Sequence, residues 1–176
     1  EERKRNQHLL RRGIIFALWS GEELGCLGSS YFVDHPTIPL KHVITYMNFD
    51  MVGRLKENNL IVEGVGSSNT WARLIEKCNV AGKFSLKLLQ DPYQPTDVTA
   101  FYPKEIPVIH FFTGVHEDYN RPTDDPETLN YEGMVRIAEF SRSMVLDLVR
   151  NAERPDYVKV AQSGEKKKKK VSRRTY

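Results

Sequence analysis

Hydrophobic and polar positions alternate along the chain in a series of patterned segments. Ile14 to Trp19 is an unbroken apolar run after Gly13, stopped by Ser20-Gly21. A run of that length, rich in Ile and aromatics, predicts a buried strand. Leu24, Leu27, Tyr31 and Val33 then recur at helical spacing, which predicts a helix from Glu22 to Val33, ended by Asp34-His35-Pro36 because the residue before Pro disfavours helical geometry. Val43 to Val52 predicts a second strand, running into Asp50 and closed by Gly53. After an Asn58-Asn59 turn, Leu60 to Gly66 predicts a third. Ser67 to Asn69 offer an N-cap for a helix carrying Trp71, Leu74, Ile75 and Cys78. Ser85 to Leu89 and Ile106 to Phe112 read as strands, separated by a proline-rich loop from Asp91 to Asp97 and a short helix around Ala100 to Tyr102. A polar loop from Val115 to Asn130 precedes a helix from Tyr131 to Arg150, with Met134, Ile137, Ala138, Ser141, Val145 and Leu148 as its expected core face. Strands alternating with helices predict an α/β fold with a central sheet flanked by helices.

Composition narrows the picture. The 176 residues are 40% hydrophobic, enough for one domain with a sizeable core. No span approaches the roughly 18 apolar residues of a membrane helix. Cys26 and Cys78 have no metal-ligand spacing and read as two separate buried thiols. Residues 1–12 are densely charged and read as a solvated helix end, with His8 on the surface. The chain opens on Glu1 without Met, which reads as a piece of a longer polypeptide carrying further domains. We therefore expect one folded domain over 1–150. Residues 151–176, with five consecutive lysines, are expected to be a basic, disordered linker or tail. A net charge of +3 that owes much to this tail gives no reason to expect a nucleic-acid partner. Membrane contact stays open.

Candidate chemistry collects at the ends of strands. Glu22 and Glu23 follow the first, Asp50 the second, and His116 comes shortly after the fifth. Ligands bind at the carboxyl edge of open α/β sheets. Zinc accepts carboxylate oxygen and imidazole nitrogen, and a carboxylate left unliganded beside it can move a proton. Each residue alone is a weak signal: Glu in the first turn of a helix is favoured by the dipole anyway. Their convergence on one sheet edge is the stronger signal.

Ser20-Gly21-Glu22-Glu23-Leu24-Gly25, Asn48-Phe49-Asp50-Met51-Val52-Gly53 and Phe111-Phe112-Thr113-Gly114-Val115-His116-Glu117-Asp118-Tyr119, in that order, resemble the zinc aminopeptidase family typified by bacterial leucyl aminopeptidase and aminopeptidase Y. The resemblance runs from about Arg12 to Arg150. It implies that residues 1–150 are part of a zinc peptidase catalytic domain, a three-layer zinc-exopeptidase fold with a mixed sheet, its first strands missing from this chain. It also implies two zinc ions, Glu22 as general base, Glu23, Asp50 and His116 as zinc ligands, and a peptide or aminoacyl substrate. The family's first histidine ligand and bridging aspartate lie upstream of the Glu-Glu pair. No segment before Glu22 supplies them, and His35, His42 and His110 read as structural or surface residues. The fragment alone is thus expected to be inactive. Thr96-Asp97 stands where the family has a Ser-Asp-His segment and Asn120 where it often has His; both bear on pocket shape. Asp97 is read as orienting a loop, and Tyr93 as a possible oxyanion donor. The resemblance also favours a secreted, periplasmic or membrane-attached location. The alternatives are a zinc acyltransferase resembling glutaminyl cyclase and a non-catalytic binding domain of the same fold.

Overall fold

In the computed structural model, residues 11–162 are described. The elements run α1 (Leu27–Asp34), β1 (Tyr46–Phe49), β2 (Asn59–Glu63), α2 (Thr70–Gly82), β3 (Ser85–Leu88), α3 (Val98–Phe101), β4 (Val108–Phe112) and α4 (Tyr131–Arg150). The four strands form one mixed sheet in the order β1-β4-β2-β3. β1 is parallel to β4, β4 antiparallel to β2, and β2 parallel to β3.

Strand alternation sends successive side chains to opposite faces, and the core divides accordingly. Ile109 and Phe111 of β4, with Leu60 and Val62 of β2, meet Trp71, Leu74, Ile75 and Cys78 of α2 and Ile137, Phe140, Met144 and Leu148 of α4. On the other face Val108 and Tyr46 pack with Val33 of α1 and with Val98 and Phe101 of α3. The expected α/β architecture, a sheet between helical layers, is what forms.

Helix α4 has the expected bounds, but its buried face is rotated. Ile137, Ser141 and Leu148 are buried as expected, joined by Phe140, Met144 and Val149, while Ala138 is exposed. The sheet face offers an aromatic slot lined by Phe84 and Phe111, and Phe140 fills it at ring separations of 5.5 and 6.0 Å. Helix α2 buries all four residues expected of it. Its N-terminus is held by Asp156, whose carboxylate accepts from Ser68 Oγ at 2.7 Å and from the Asn69 backbone N–H at 3.0 Å.

Two expectations are overturned. Residues 14–19 form no strand: Ile14, Ile15, Phe16 and Leu18 are 49, 58, 88 and 96% exposed. A strand exists only through backbone bonds to a neighbour, and no described residue pairs with this run. The second concerns the expected tail. Residues 151–162 are packed against the domain: Val158 N–H donates to the Ser67 carbonyl at 2.8 Å, Tyr102 hydroxyl donates to the Val158 carbonyl at 2.9 Å, and Pro155 is buried. The lysine run, residues 1–10 and His8 lie outside the described residues.

Candidate active site

The Glu-Glu pair does not sit on a helix. α1 begins only at Leu27, and Glu22 and Glu23 occupy the turn before it. Gly21 adopts φ +67, a conformation L side chains rarely take. The Glu22 carbonyl then accepts from Gly25 and Cys26 N–H at 2.9 and 2.8 Å, folding the pair back on itself. Of the expected apolar face only Val33 is buried; Leu24, Leu27 and Tyr31 are exposed. Glu22 is half-buried and Glu23 exposed, so adjacent carboxylates do occupy different environments.

Asp50 follows β1 directly. Its N–H donates to the Phe111 carbonyl at 3.4 Å, and Thr113 N–H donates to the Met51 carbonyl at 3.2 Å. Thr113 hydroxyl bonds the same carbonyl. These bonds lock the ends of β1 and β4 side by side, which places Asp50 at the sheet's carboxyl edge. Burial pushes the Glu22 carboxyl up, with the negative charges of Asp50, Glu23 and Asp97 pushing the same way. Asp50 is likewise raised by burial and by Asp97, with its backbone bond at Met51 opposing. Carboxyls raised by the negative charges around them are a site that favours positive charge.

A hydrogen-bonded chain underlies this edge. Trp19 Nε1 donates to the Tyr46 hydroxyl at 2.9 Å, which donates to Asn48 Oδ1 at 2.7 Å. Asn48 Nδ2 faces His110 Nδ1 at 3.0 Å and Thr96 Oγ1 at 3.4 Å. An accepting Nδ1 requires the neutral ring with its proton on Nε2. Burial holds His110 down to about 4, so the 3.7 Å approach of Nε2 to Glu63 Oε2 is a contact of a neutral imidazole, and Glu63 itself is raised by burial. His110 is therefore structural, as the sequence suggests.

His116 lies beyond β4 in the polar loop. Its Nε2 is 3.8 Å from Asp124 Oδ2, and its Nδ1 is buried without a hydrogen-bond partner among the described residues. Arg54 steadies this loop through Asp118 at 3.1 Å and Asp124 at 2.6 Å, a role the sequence did not signal. Tyr93 is a correction: its hydroxyl donates to the Val160 carbonyl at 3.2 Å and its ring meets Tyr102 edge-on, so this donor is committed to the backbone strap formed by 151–162. Cys26 and Cys78 are both free thiols; Cys78 is buried, whereas Cys26 is half-buried with Sγ 3.9 Å from Glu22 Oε1.

The donor set suits zinc in kind: oxygen from carboxylates whose charge is unbalanced, and an imidazole with an orphaned nitrogen. In number it falls short, since no three His, Cys, Asp or Glu among the described residues converge to hold an ion.

An α/β domain with its acidic groups at the carboxyl edge of a mixed sheet is the class these features define. The family model for Peptidase family M28 matches residues 2–145, and the chain belongs to that family. Among curated relatives it is 34% identical over 115 residues to leucine aminopeptidase 2 of Trichophyton equinum, covering 60% of this chain and 23% of that protein. It is 30% identical over 157 residues to aminopeptidase YwaD of Bacillus subtilis, covering 83% of this chain and 34% of that one. Among solved structures it resembles BSAP, a zinc aminopeptidase from Bacillus subtilis, with a TM-score of 0.63 and 26% identity over 82% of this chain and 38% of that one. The LapA aminopeptidase of Legionella pneumophila shares the fold at a TM-score of 0.65 and 18% identity, over 77% of this chain and 38% of that one. The chain thus spans between 23% and 38% of these proteins.

Proposed function

We propose that this chain carries the Glu-Glu edge of a zinc-dependent aminopeptidase, an enzyme that hydrolyses the N-terminal peptide bond of peptides and aminoacyl compounds. The observation that carries this reading is the acidic edge itself, in a chain of Peptidase family M28: Asp50 is held at the carboxyl end of β1, and Glu22 is half-buried in the turn before α1 with its carboxyl raised by burial and by the Asp50 charge. Glu23, Asp50 and His116 would hold metal in the complete protein, which we take to bind two ions, the remaining ligands coming from beyond these 176 residues. Bound zinc supplies Lewis acidity toward the scissile carbonyl and acidifies water. Glu22 takes the proton from the attacking water at its carboxylate and returns it to the leaving amine nitrogen. A carboxyl raised above its ordinary value is better matched to that exchange near neutral pH. The bonds that join β1 to β4 keep Asp50 in register with the segment leading to His116.

The test is a chain of the relatives' length assayed for zinc content and for cleavage of an aminoacyl amide. We expect about two zinc ions per chain, and Glu22→Gln to retain them while losing turnover at least 100-fold, within the range of a general base. The 176-residue chain alone is expected to show no turnover. A full-length protein that binds one zinc and cyclises N-terminal glutamine, or that binds none, would overturn this reading.

A further inference from the structure

Met51, the residue after Asp50, adopts φ +50, a left-handed conformation that is strained for any residue with a Cβ. Such a conformation persists only where its surroundings hold it. On one side β1 is fixed by its pairing with β4. On the other the Gly53 carbonyl accepts the Asn130 N–H at 2.8 Å. The freedom left to the chain lies between these anchors, at Asp50, Met51 and Val52.

What holds this turn comes from the end of β4. The Met51 carbonyl accepts twice from Thr113, from its N–H at 3.2 Å and from its hydroxyl. The hydroxyl oxygen in turn accepts the Arg54 N–H at 3.2 Å. One side chain thus closes a ring across residues 51–54, its hydroxyl acting as donor and acceptor at once. Past Thr113 the chain turns at Gly114, φ +97, where no Cβ opposes the conformation, and reaches His116 two residues on. Arg54, whose N–H the hydroxyl takes, pairs through its guanidinium with Asp118 and Asp124, and Asp124 approaches His116 Nε2 to 3.8 Å. Asp50 and the loop of His116 are both referred to one hydroxyl.

The balance of forces gives that hydroxyl its weight. Strain in a left-handed residue other than glycine is of the same order as the net worth of one hydrogen bond. The Thr113 N–H alone would leave Met51 balanced between two conformations, and the hydroxyl decides between them. A Met51 that left the left-handed region would swing the Asp50 carboxylate away from its place at the sheet edge.

We propose that Thr113 is a positioning residue: its hydroxyl holds Met51 left-handed and so fixes the Asp50 carboxylate relative to the segment leading to His116. This rests on the aminopeptidase reading above, in which Asp50 and His116 both hold zinc.

The test uses the full-length protein with zinc as the probe. Affinity is measured by competition with a chelator, alongside the melting temperature of the zinc-free form. Thr113→Val keeps the shape and the N–H but loses the hydroxyl; it should weaken zinc binding about 10–100-fold, the usual effect of removing a group that orients a metal ligand. Thr113→Ser keeps the hydroxyl and should stay within about threefold of the wild type. Adding Met51→Gly to Thr113→Val relieves the strain, since glycine takes the left-handed region freely, and should recover about threefold or more of the lost affinity. A merely structural hydroxyl would lower the melting temperature of Thr113→Val and leave its zinc affinity unchanged. If Thr113→Val does not fold, Met51→Val decides: branching at Cβ opposes φ +50 with Thr113 intact, and should weaken zinc at least about tenfold. Wild-type affinity in whichever of these two variants decides overturns the proposal. So does a Thr113→Ser protein as weak as Thr113→Val, or no recovery on adding Met51→Gly. A wild type that binds no zinc removes the aminopeptidase reading itself, and this inference with it.

Discussion

Lowering the pH should unfold this domain through His110. The ring is 2% exposed, accepts from Asn48 at 3.0 Å, and sits with its ionisation held down to about 4 by burial. An unfolded histidine takes up its proton near 6.5. The unfolded chain therefore binds that proton first, so stability is fully present above about pH 6.5 and is lost as the pH falls toward 4. The gap between those values, at about 1.4 kcal/mol per decade, is worth about 3 kcal/mol, a large part of the 5–15 kcal/mol typical of a domain. Glu63 works the other way: its carboxyl is raised in the fold, so protonating it favours the folded state as the pH drops through that raised value. A comparison with His110→Gln separates the two. Urea denaturation of the 176-residue chain at pH 7.5, 6, 5 and 4 should give a free energy that falls more steeply in the wild type than in the variant. The variant's own cost cancels, because only the pH dependence is compared. Parallel curves would refute the reasoning and show that His110 is no less basic in the fold than in the unfolded chain.

Two further outcomes test the packing. Trp71 is fully buried and its Nε1 donates to Ser67 Oγ at 2.9 Å; Trp71→Ala should cost about 3–5 kcal/mol in urea, and a loss under 1 kcal/mol would mean the two helices do not close over it. Asp156→Ala removes the acceptor that caps α2 from outside, so we expect a loss of about 1 kcal/mol together with faster amide exchange across 156–160, the segment whose Val158 and Val160 N–H groups are bonded to the domain.

Much of the architecture was written in local periodicity. β2, α2, β3, β4 and α4 fall where alternation and helical spacing put them, because those patterns record which face of each element must leave water. The positions of Asp50 and His116 after β1 and β4 were likewise plain, as those strand ends are marked by Gly and polar residues; Glu22 and Glu23 instead occupy the turn before α1, with no strand ahead of them among the described residues. Register and partners are not local. The run from Ile14 to Trp19 has every mark of a strand, yet a strand needs a neighbour's backbone, and none among the described residues bonds to it. The rotation of α4 toward Phe140 depended on a slot built by Phe84, just before β3, and by Phe111 of β4.

The same division holds at the site. Sequence alone determined that this chain carries the motifs of a zinc aminopeptidase and which residue types stand ready. Only the tertiary structure decided that Tyr93 is tied to Val160 and that residues 151–162 strap the domain instead of trailing from it. It also brought Thr113, at the end of β4, onto the Met51 carbonyl beside Asp50. Hydrogen-bond satisfaction and charge proximity are properties of atoms far apart in the chain, and no periodicity encodes them.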